Sequence, residues 1–302
     1  MALHPEIARI LASLPAPPDG PLDPAGMRAA EEAQVPAIEQ RLPLHSVEDT
    51  VARTPTGEVP VRTYASTGAA DGVLVYFHGG AFFLGSLDTH DHVARSLAKE
   101  TGFTVVSVGY RRAPEAAFPA GLRDCYAAVR WAAEHWDGAA LAVAGDSSGG
   151  TFAAAVAAMA HDEGFDRITH QVLYYPSLDL DFDVDRYASL RENAVGYGLE
   201  TAGLKPFNAF YLESGADPAD PLVSPIKRAD LTGLPPALIV TAQHDPLRDE
   251  GELYGRRLKD AGVDATVRRY AGAGHGFVQH FSRIPEYHRV FEETAAFLRS
   301  RS

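Results

Sequence analysis

Three residues whose types can together activate a hydroxyl group follow one another in the order serine, aspartate, histidine. Ser147 stands at the centre of Gly145-Asp146-Ser147-Ser148-Gly149, directly after the apolar run 140–144 and directly before a long helical segment. A Gly-x-Ser-x-Gly sequence between a buried strand and a helix is typical of a sharp turn that holds its serine in a strained backbone conformation and exposes the hydroxyl. The pattern therefore predicts a nucleophilic serine at position 147.

An acid and a base follow this serine, each in a loop directly after a predicted strand. Asp245 comes after the strand 237–241, and His275 lies in a glycine-rich loop after the strand 265–270. Because the carboxyl ends of parallel strands meet at one edge of a sheet, both loops are expected beside Ser147. There the histidine can accept the serine proton and the aspartate can orient the histidine ring.

Three other residues compete for these two roles. Asp249 lies one helical turn beyond Asp245, where a carboxylate is expected to cap the following helix. His280 lies in an aromatic stretch and is expected to pack there, and the ring of His244 is expected to point away from the site. His275 thus remains the predicted base.

A glycine-rich segment after the strand 73–77 is the third element of the predicted site. It reads His78-Gly79-Gly80-Ala81-Phe82. Small consecutive residues leave their N–H groups unobstructed, and such groups stabilise the negative charge that develops on a carbonyl oxygen under attack. We expect the N–H groups of Gly80, Ala81 and Ser148 to form this oxyanion hole, with Gly79 as the alternative donor. The ring of His78 is expected to stiffen the loop through a hydrogen bond to the backbone.

The elements that must position these residues predict an α/β fold. Two alternating segments, 47–53 and 59–64, flank Thr54-Pro55-Thr56-Gly57 and indicate an antiparallel hairpin. Six continuously apolar strands then alternate with helical stretches, at residues 73–77, 104–110, 141–144, 171–175, 237–241 and 265–270. This pattern favours a mostly parallel sheet of about eight strands, antiparallel at its N-terminal edge and covered by helices on both faces.

Two segments carry helical patterns without a clear strand, residues 1–45 and about 179–231. An insertion so late in a parallel sheet is expected over the carboxyl ends of the strands, where ligands bind in open α/β sheets. Together the two segments are expected to form a small helical cap. Five aromatic residues are candidates for a substrate pocket, with a core position left open for each: Phe82, Phe83, Phe207, Phe210 and Tyr211.

Composition narrows the choice of partners. The chain has 302 residues, 46% of them apolar, and a formal charge of −13, which argues against nucleic acid and anionic membrane surfaces. The longest apolar run, 151–160, is too short to span a bilayer, and no targeting segment stands out, so a soluble cytoplasmic protein is expected. The sequence contains a single cysteine, Cys125, which is expected to be buried and inert. Whether the chain forms a homodimer is left open.

No metal or cofactor is expected. Asp181, Asp183, Asp185 and Glu192 imitate the spacing of a calcium loop, but Arg186 occupies the position that requires glycine. The glycine-rich stretches of the chain match neither the dinucleotide-binding nor the phosphate-binding fingerprint.

The motifs together resemble those of the hormone-sensitive lipase-like branch of the α/β-hydrolase superfamily, the bacterial carboxylesterases. The resemblance covers nearly the whole chain and rests on residues 78–81, 110–115, 145–150, 245–250 and 275–277. It implies an α/β-hydrolase fold and a triad of Ser147, His275 and Asp245. It also implies hydrolysis of short- to medium-chain acyl esters through a covalent acyl-enzyme.

Two positions depart from the family pattern. The usual His-Gly-Gly-Gly is His-Gly-Gly-Ala here, and the usual Gly-Asp-Ser-Ala-Gly is Gly-Asp-Ser-Ser-Gly. Ala81 and Ser148 keep their N–H groups, so the oxyanion hole is expected to survive, with the Ala81 methyl group able to tilt one donor. Arg111 and Glu115, which lie in another family motif, are expected to form structural ion pairs.

The resemblance also divides the chain. It assigns residues 1–45 to the N-terminal part of the cap, 46–179 to the first part of the catalytic domain, 180–225 to the cap insertion and 226–302 to the second part of the catalytic domain. Two alternatives to an esterase have the same fold. An amide or acetyl hydrolase similar to the arylacetamide deacetylases uses the same triad, whereas a non-catalytic ligand-binding protein, like the plant gibberellin receptors, lacks the histidine that is present here.

Overall fold

A single eight-stranded sheet organises the chain. The computed structural model describes residues 2–13, 20–55, 57–68 and 70–300, and its strands lie in the order β1-β2-β4-β3-β5-β6-β7-β8. The strands are β1 Ser46–Thr54, β2 Gly57–Ala65, β3 Gly72–Phe77, β4 Thr104–Val108, β5 Ala140–Asp146, β6 Ile168–Tyr174, β7 Ala237–His244 and β8 Ala265–Gly274.

The direction of the strands follows the predicted pattern. β1 pairs with β2 in an antiparallel hairpin, β2 is antiparallel to β4, and every pair from β4 to β8 is parallel. The α/β-hydrolase fold predicted from the sequence is therefore confirmed. Thr56, in the predicted hairpin turn, lies outside the described residues.

Helices cover both faces of the sheet because its central strands are apolar on both sides. In β3, Val75 and Phe77 face a core shared with the helices on one side, whereas Leu74 and Tyr76 face the core on the other side. Cys125 is buried in the first of these cores, and its burial raises the pKa of the thiol, as expected of an inert cysteine.

The helices fall into two groups. Those that flank the sheet are α3 Asp91–Thr101, α4 Ala120–His135, α5 Ser148–Asp162, α8 Arg248–Asp260, α9 Phe277–His280 and α10 Pro285–Arg299. Those in the two segments predicted to form the cap are α1 Pro5–Ser13, α2 Pro24–Glu32, α6 Ala188–Glu192 and α7 Thr201–Leu212.

The predicted cap segments contain helices and loops in the part of the chain that the structure describes. No strand occurs before β1 among the described residues, and none occurs between β6 and β7. Residues from α1, α2 and α7 line the cavity above the end of β5. The domain division at residues 1–45, 46–179, 180–225 and 226–302 stays a prediction, and its residues 1, 14–19, 56, 69 and 301–302 lie outside the described ones.

Candidate active site

The turn between β5 and α5 places Ser147 at the edge of the sheet. Its backbone is strained, with φ of +54° and ψ of −120°. A side chain at Gly145 would collide with the backbone of Gly149, and one at Gly149 would collide with the carbonyl oxygen of Phe77. Glycine is therefore required on both sides of the serine, as a sharp strand-to-helix turn demands.

Ser147, His275 and Asp245 form one continuous chain of hydrogen bonds. His275 Nε2 lies 3.0 Å from Ser147 Oγ, and His275 Nδ1 lies 2.8 Å from Asp245 Oδ2. The other oxygen of Asp245 accepts the N–H of Leu247 at 2.8 Å, and this carboxylate is fully buried. The histidine side chain keeps 13% exposure, so it can reach a ligand above the serine.

Two of the three competing residues, Asp249 and His244, have other partners. The Asp249 carboxylate accepts the N–H of Ser189 at 2.9 Å and pairs with Arg248 at 2.8 Å, which ties α6 to the start of α8. His244 stacks on Tyr197 with ring centroids 4.6 Å apart. The structure thus brings His275 rather than His244 to Ser147, and Asp245 rather than Asp249 to His275.

The segment after β3 forms a tight loop beside Ser147. Gly80 has φ of +119° and Ala81 has φ of +50°, and both line the cavity together with Ser147 and Ser148. A left-handed conformation costs a residue that carries a Cβ about 1 kcal/mol or more, so Ala81 stores strain where the family has glycine. The Ser148 hydroxyl accepts the N–H of Phe82 at 3.2 Å and holds the loop against α5.

Gly79 does not serve as the alternative oxyanion donor. Its N–H donates to Asp146 Oδ1 at 2.9 Å, and an added Cβ at Gly79 would press against the same carboxylate. A donor that already serves a buried carboxylate is not available to a ligand. The expectation for Gly79 is therefore wrong, while Gly80, Ala81 and Ser148 stay the predicted donors.

A buried polar cluster supports the oxyanion loop from below. Asp146 also accepts the Tyr76 hydroxyl at 2.5 Å, and its carboxylate lies 3.7 Å from the ring of His90. Burial acts to raise the pKa of Asp146, but His90 and Tyr76 outweigh this effect, and the net shift is downward. The carboxylate is therefore charged at neutral pH and can hold the Gly79 N–H firmly.

His78 lies in the same cluster and stiffens the loop. Its Nδ1 lies 2.8 Å from its neighbour's carbonyl, Gly79 O, and the Tyr110 hydroxyl donates to His78 O at 2.7 Å. Burial, followed by the neighbouring His90, lowers the pKa of His78 to about 3. The ring is consequently neutral across the physiological range and does not take part in proton transfer.

The lowered pKa of His78 predicts a loss of stability in acid. The folded-state pKa lies below the value near 6.5 of an exposed histidine, so the unfolded chain binds more protons between about pH 6.5 and pH 3. The fold therefore loses stability as the pH falls through this window. His78→Asn keeps an amide donor for Gly79 O but removes the titrating ring. The free energy of unfolding is measured by urea unfolding at several pH values in this window. We expect its slope against pH to be smaller in the variant than in the wild type, by up to about 1.4 kcal/mol per pH unit. Equal slopes in the two proteins would contradict the lowered pKa of His78.

A cavity of about 570 Å³ opens above Ser147. Its walls come from the oxyanion loop, from α1 and α7, and from the loops after β6, β7 and β8. Its volume lies within the range of small-molecule sites, and its lining is mostly apolar. Ile10 and Leu11 of α1 belong to the lining, although nothing in the sequence beyond the helical pattern marked them as site residues.

Two of the five predicted pocket aromatics line this cavity, Phe82 and Phe207. Phe83, Phe210 and Tyr211 do not, and for these three the expectation is wrong. Tyr211 stacks on Phe82 at 3.9 Å between ring centroids, and Phe83 packs against Phe210 at 4.8 Å. These three rings therefore pack against the two lining aromatics or against one another instead of lining the cavity.

Ion pairs fix the loop that follows β4. Arg111 pairs with the buried Asp124 at 2.7 Å, and Glu115 pairs with Arg28 of α2 at 2.8 Å. Arg28 also donates to Phe83 O and Ala113 O, both at 2.6 Å, so it joins α2 to the back of the oxyanion loop. Both pairs are structural, as the sequence predicts, whereas no motif in the sequence marks Arg28 for this role.

The described residues show no obvious metal site. Among residues 2–13, 20–55, 57–68 and 70–300, no group of three or more histidine, cysteine or acidic side chains is placed to hold an ion. Asp181 of the calcium-like sequence pairs with Arg186 at 3.0 Å and with Lys227 at 2.9 Å. The helices were also compared with the requirements of a membrane span. In the described part of the chain, none of them combines the length and apolarity needed to cross a bilayer.

Comparison with known proteins defines the class. A family model described as the alpha/beta hydrolase fold matches residues 74–279, more than half of the chain. The chain belongs to the alpha/beta hydrolase fold family. This confirms the family predicted from the motifs.

Its relatives include esterases of bacteria and archaea. Carboxylesterase NlhH of Mycobacterium tuberculosis is 41% identical over 249 residues, which cover 79% of this chain and 77% of that protein. Esterase LipI of the same organism is 38% identical over 285 residues, covering 87% and 88%. A solved structure, a hyperthermophilic esterase from the archaeon Pyrobaculum calidifontis, superposes with a TM-score of 0.90 at 40% identity and covers 99% of both chains.

Proposed function

We propose that this protein is a serine carboxylesterase that hydrolyses short- to medium-chain acyl esters through a covalent acyl-enzyme. One observation carries the proposal: the ring of His275 bridges Ser147 Oγ at 3.0 Å and Asp245 Oδ2 at 2.8 Å. The names of its relatives, among them a carboxylesterase and an esterase at about 40% identity, support ester hydrolysis.

In the acylation step, the serine hydroxyl attacks the ester carbonyl as His275 Nε2 takes its proton. Asp245 holds the proton on Nδ1, so Nε2 is free to accept, and it stabilises the imidazolium that forms. The N–H groups of Gly80, Ala81 and Ser148 bear the developing oxyanion. Nε2 then returns the proton to the leaving alcohol, and the acyl group remains on Ser147.

In the deacylation step, water takes the place of the alcohol. His275 accepts a proton from the water as it attacks the acyl carbonyl, and the same N–H groups bear the second oxyanion. The proton then passes to Ser147 Oγ, which restores the enzyme and releases the acid. A histidine base must be neutral to act, so activity is expected to fall in acid.

The connected triad favours catalysis over ligand binding alone. Ligand binding alone does not require a buried carboxylate that accepts the N–H of Leu247 and forms a hydrogen bond with His275. The cavity is bounded and largely apolar, which favours acyl chains of limited length.

A series of p-nitrophenyl esters with acyl chains from two to sixteen carbons tests this substrate range. We expect kcat/KM to peak at short to medium chains and to fall for the longest ones, because the cavity bounds the space available to the chain. Matched anilides should react far more slowly than the esters. A maximum at sixteen carbons would contradict the substrate range, and faster cleavage of the anilides would favour the amide hydrolase instead.

A further inference from the structure

A polar side chain of α7 lines the cavity without a hydrogen-bond partner in the part of the chain that the structure describes. Asn208 lies on α7 and is only 8% exposed, yet it lines the cavity above Ser147. Among the described residues, no side chain or backbone group forms a hydrogen bond with its amide. The amide atoms are not sealed inside the protein, so they are accessible from the cavity and can bind a ligand there.

A second such group lines the same cavity. Ser177 is 7% exposed, and its hydroxyl has no hydrogen-bond partner in the described part of the chain. Its backbone N–H donates to Ser147 O at 3.2 Å, which fixes Ser177 close to the serine of the triad. Both Ser177 and Asn208 line the active-site cavity and also a narrow recess that adjoins it.

The surroundings of this pair combine leucine side chains with acidic groups that have partners within the protein. Leu204 and Leu247 line the cavity and the recess with them. Asp179 also lines the recess and pairs with Arg186 at 2.6 Å. Burial raises the pKa of Glu250, and this buried carboxyl group accepts the N–H of Leu178 at 2.6 Å.

The charges of the cavity select a neutral ligand group. No lysine or arginine lines it in the described part of the chain, whereas Glu31 and Asp146 do. An anionic substituent would meet these carboxylates without a counter-ion. A hydroxyl, ether or carbonyl oxygen needs no counter-ion and can accept from the Asn208 amide and from the Ser177 hydroxyl.

We propose that Asn208 and Ser177 form a polar subsite that binds a neutral oxygen substituent of the ester substrate. The substrate class is then an ester with a second oxygen function, on either the acyl or the alcohol side. This inference rests on the proposed esterase function. It gives a role to two polar side chains that line the cavity near Ser147 without a hydrogen-bond partner in the described part of the chain.

Matched substrates that differ by one oxygen test the subsite. On the acyl side, p-nitrophenyl methoxyacetate is compared with p-nitrophenyl butyrate, and on the alcohol side methoxyethyl acetate is compared with butyl acetate. Each pair replaces one methylene group by an ether oxygen. The measured quantity is the ratio of kcat/KM for the ether over the alkyl ester, in the wild type and in Asn208→Leu.

We expect this ratio to fall about 3- to 10-fold in Asn208→Leu, the effect of one neutral hydrogen bond. The pair that shows the fall identifies the side of the ester that reaches the subsite. Ser177→Ala keeps the backbone hydrogen bond to Ser147 O and should lower the same ratio. It also provides the test if the leucine variant does not fold.

Phe207→Leu is the matched control. It changes an apolar lining residue next to Asn208 on the same helix, so both members of each pair should change together. A ratio that is unchanged in both pairs, in both Asn208→Leu and Ser177→Ala, would overturn the subsite. Failure of the esterase proposal would look different, because the wild type would then hydrolyse none of the four esters or Ser147→Ala would hydrolyse them equally well.

Discussion

Ser147→Ala is expected to lower kcat for p-nitrophenyl butyrate by about 10⁶-fold, the scale observed when the nucleophile of a serine triad is removed. The variant loses the atom that forms the acyl-enzyme, so His275 and the oxyanion N–H groups have no nucleophile to assist. The fold should persist because the turn depends on Gly145 and Gly149 rather than on the hydroxyl. Circular dichroism and the melting temperature would verify the fold beside the kinetics.

Ser96→Ala is the control for this substitution. Ser96 lies on α3, and its hydroxyl donates within the helix to His92 O at 2.9 Å. Ser96→Ala removes a serine hydroxyl group, as Ser147→Ala does, and it should leave kcat unchanged. Retention of hydrolysis by Ser147→Ala, at a rate near that of the control, would exclude Ser147 as the nucleophile.

Asp245→Asn is expected to lower kcat by about 10⁴-fold with little change in structure. The N–H of Leu247 requires an acceptor, so the amide oxygen should take the place of Oδ1. The NH₂ group then points at His275 Nδ1 and donates to it. The ring must carry its proton on Nε2, where it faces Ser147 Oγ as a donor and cannot act as a base.

Asp249→Asn is the matched control, since it makes the same change four residues further on. Its carboxylate accepts from Ser189 and Arg248 and does not reach His275. The melting temperature is measured beside kcat, and any effect should fall on stability because the hydrogen bond between α6 and α8 is weakened. A loss of kcat in Asp249→Asn that equals the loss in Asp245→Asn would contradict the assignment of the acid.

Local sequence patterns were sufficient to predict the frame of the site. A Gly-x-Ser-x-Gly turn requires its glycines wherever it occurs, and strands that are apolar on both faces must run through the centre of a covered sheet. Asp245 and His275 could be predicted because each follows such a strand in a parallel sheet. The strand limits were less accurate: β5 begins at Ala140 and ends at Asp146, and β8 extends to Gly274.

Contacts between distant segments were beyond local patterns. The use of the Gly79 N–H depends on Asp146, which lies 67 residues further along the chain. Whether Phe83 or Phe207 faces the cavity depends on how α7 packs against the oxyanion loop. No sequence pattern marks Asn208 as a site residue. An asparagine in a helix becomes a candidate for ligand binding only when the structure shows that its amide faces a cavity without a hydrogen-bond partner.

Covalent labelling by diethyl p-nitrophenyl phosphate tests the central claim most directly, since a serine nucleophile displaces p-nitrophenolate and retains the phosphoryl group. Peptide mass spectrometry should find one adduct per chain, on Ser147, and none on the Ser147→Ala variant. His275→Ala should label far more slowly, because its serine lacks the base that activates it. An adduct on another residue, or undiminished labelling of Ser147→Ala, would contradict the assignment of Ser147 as the nucleophile.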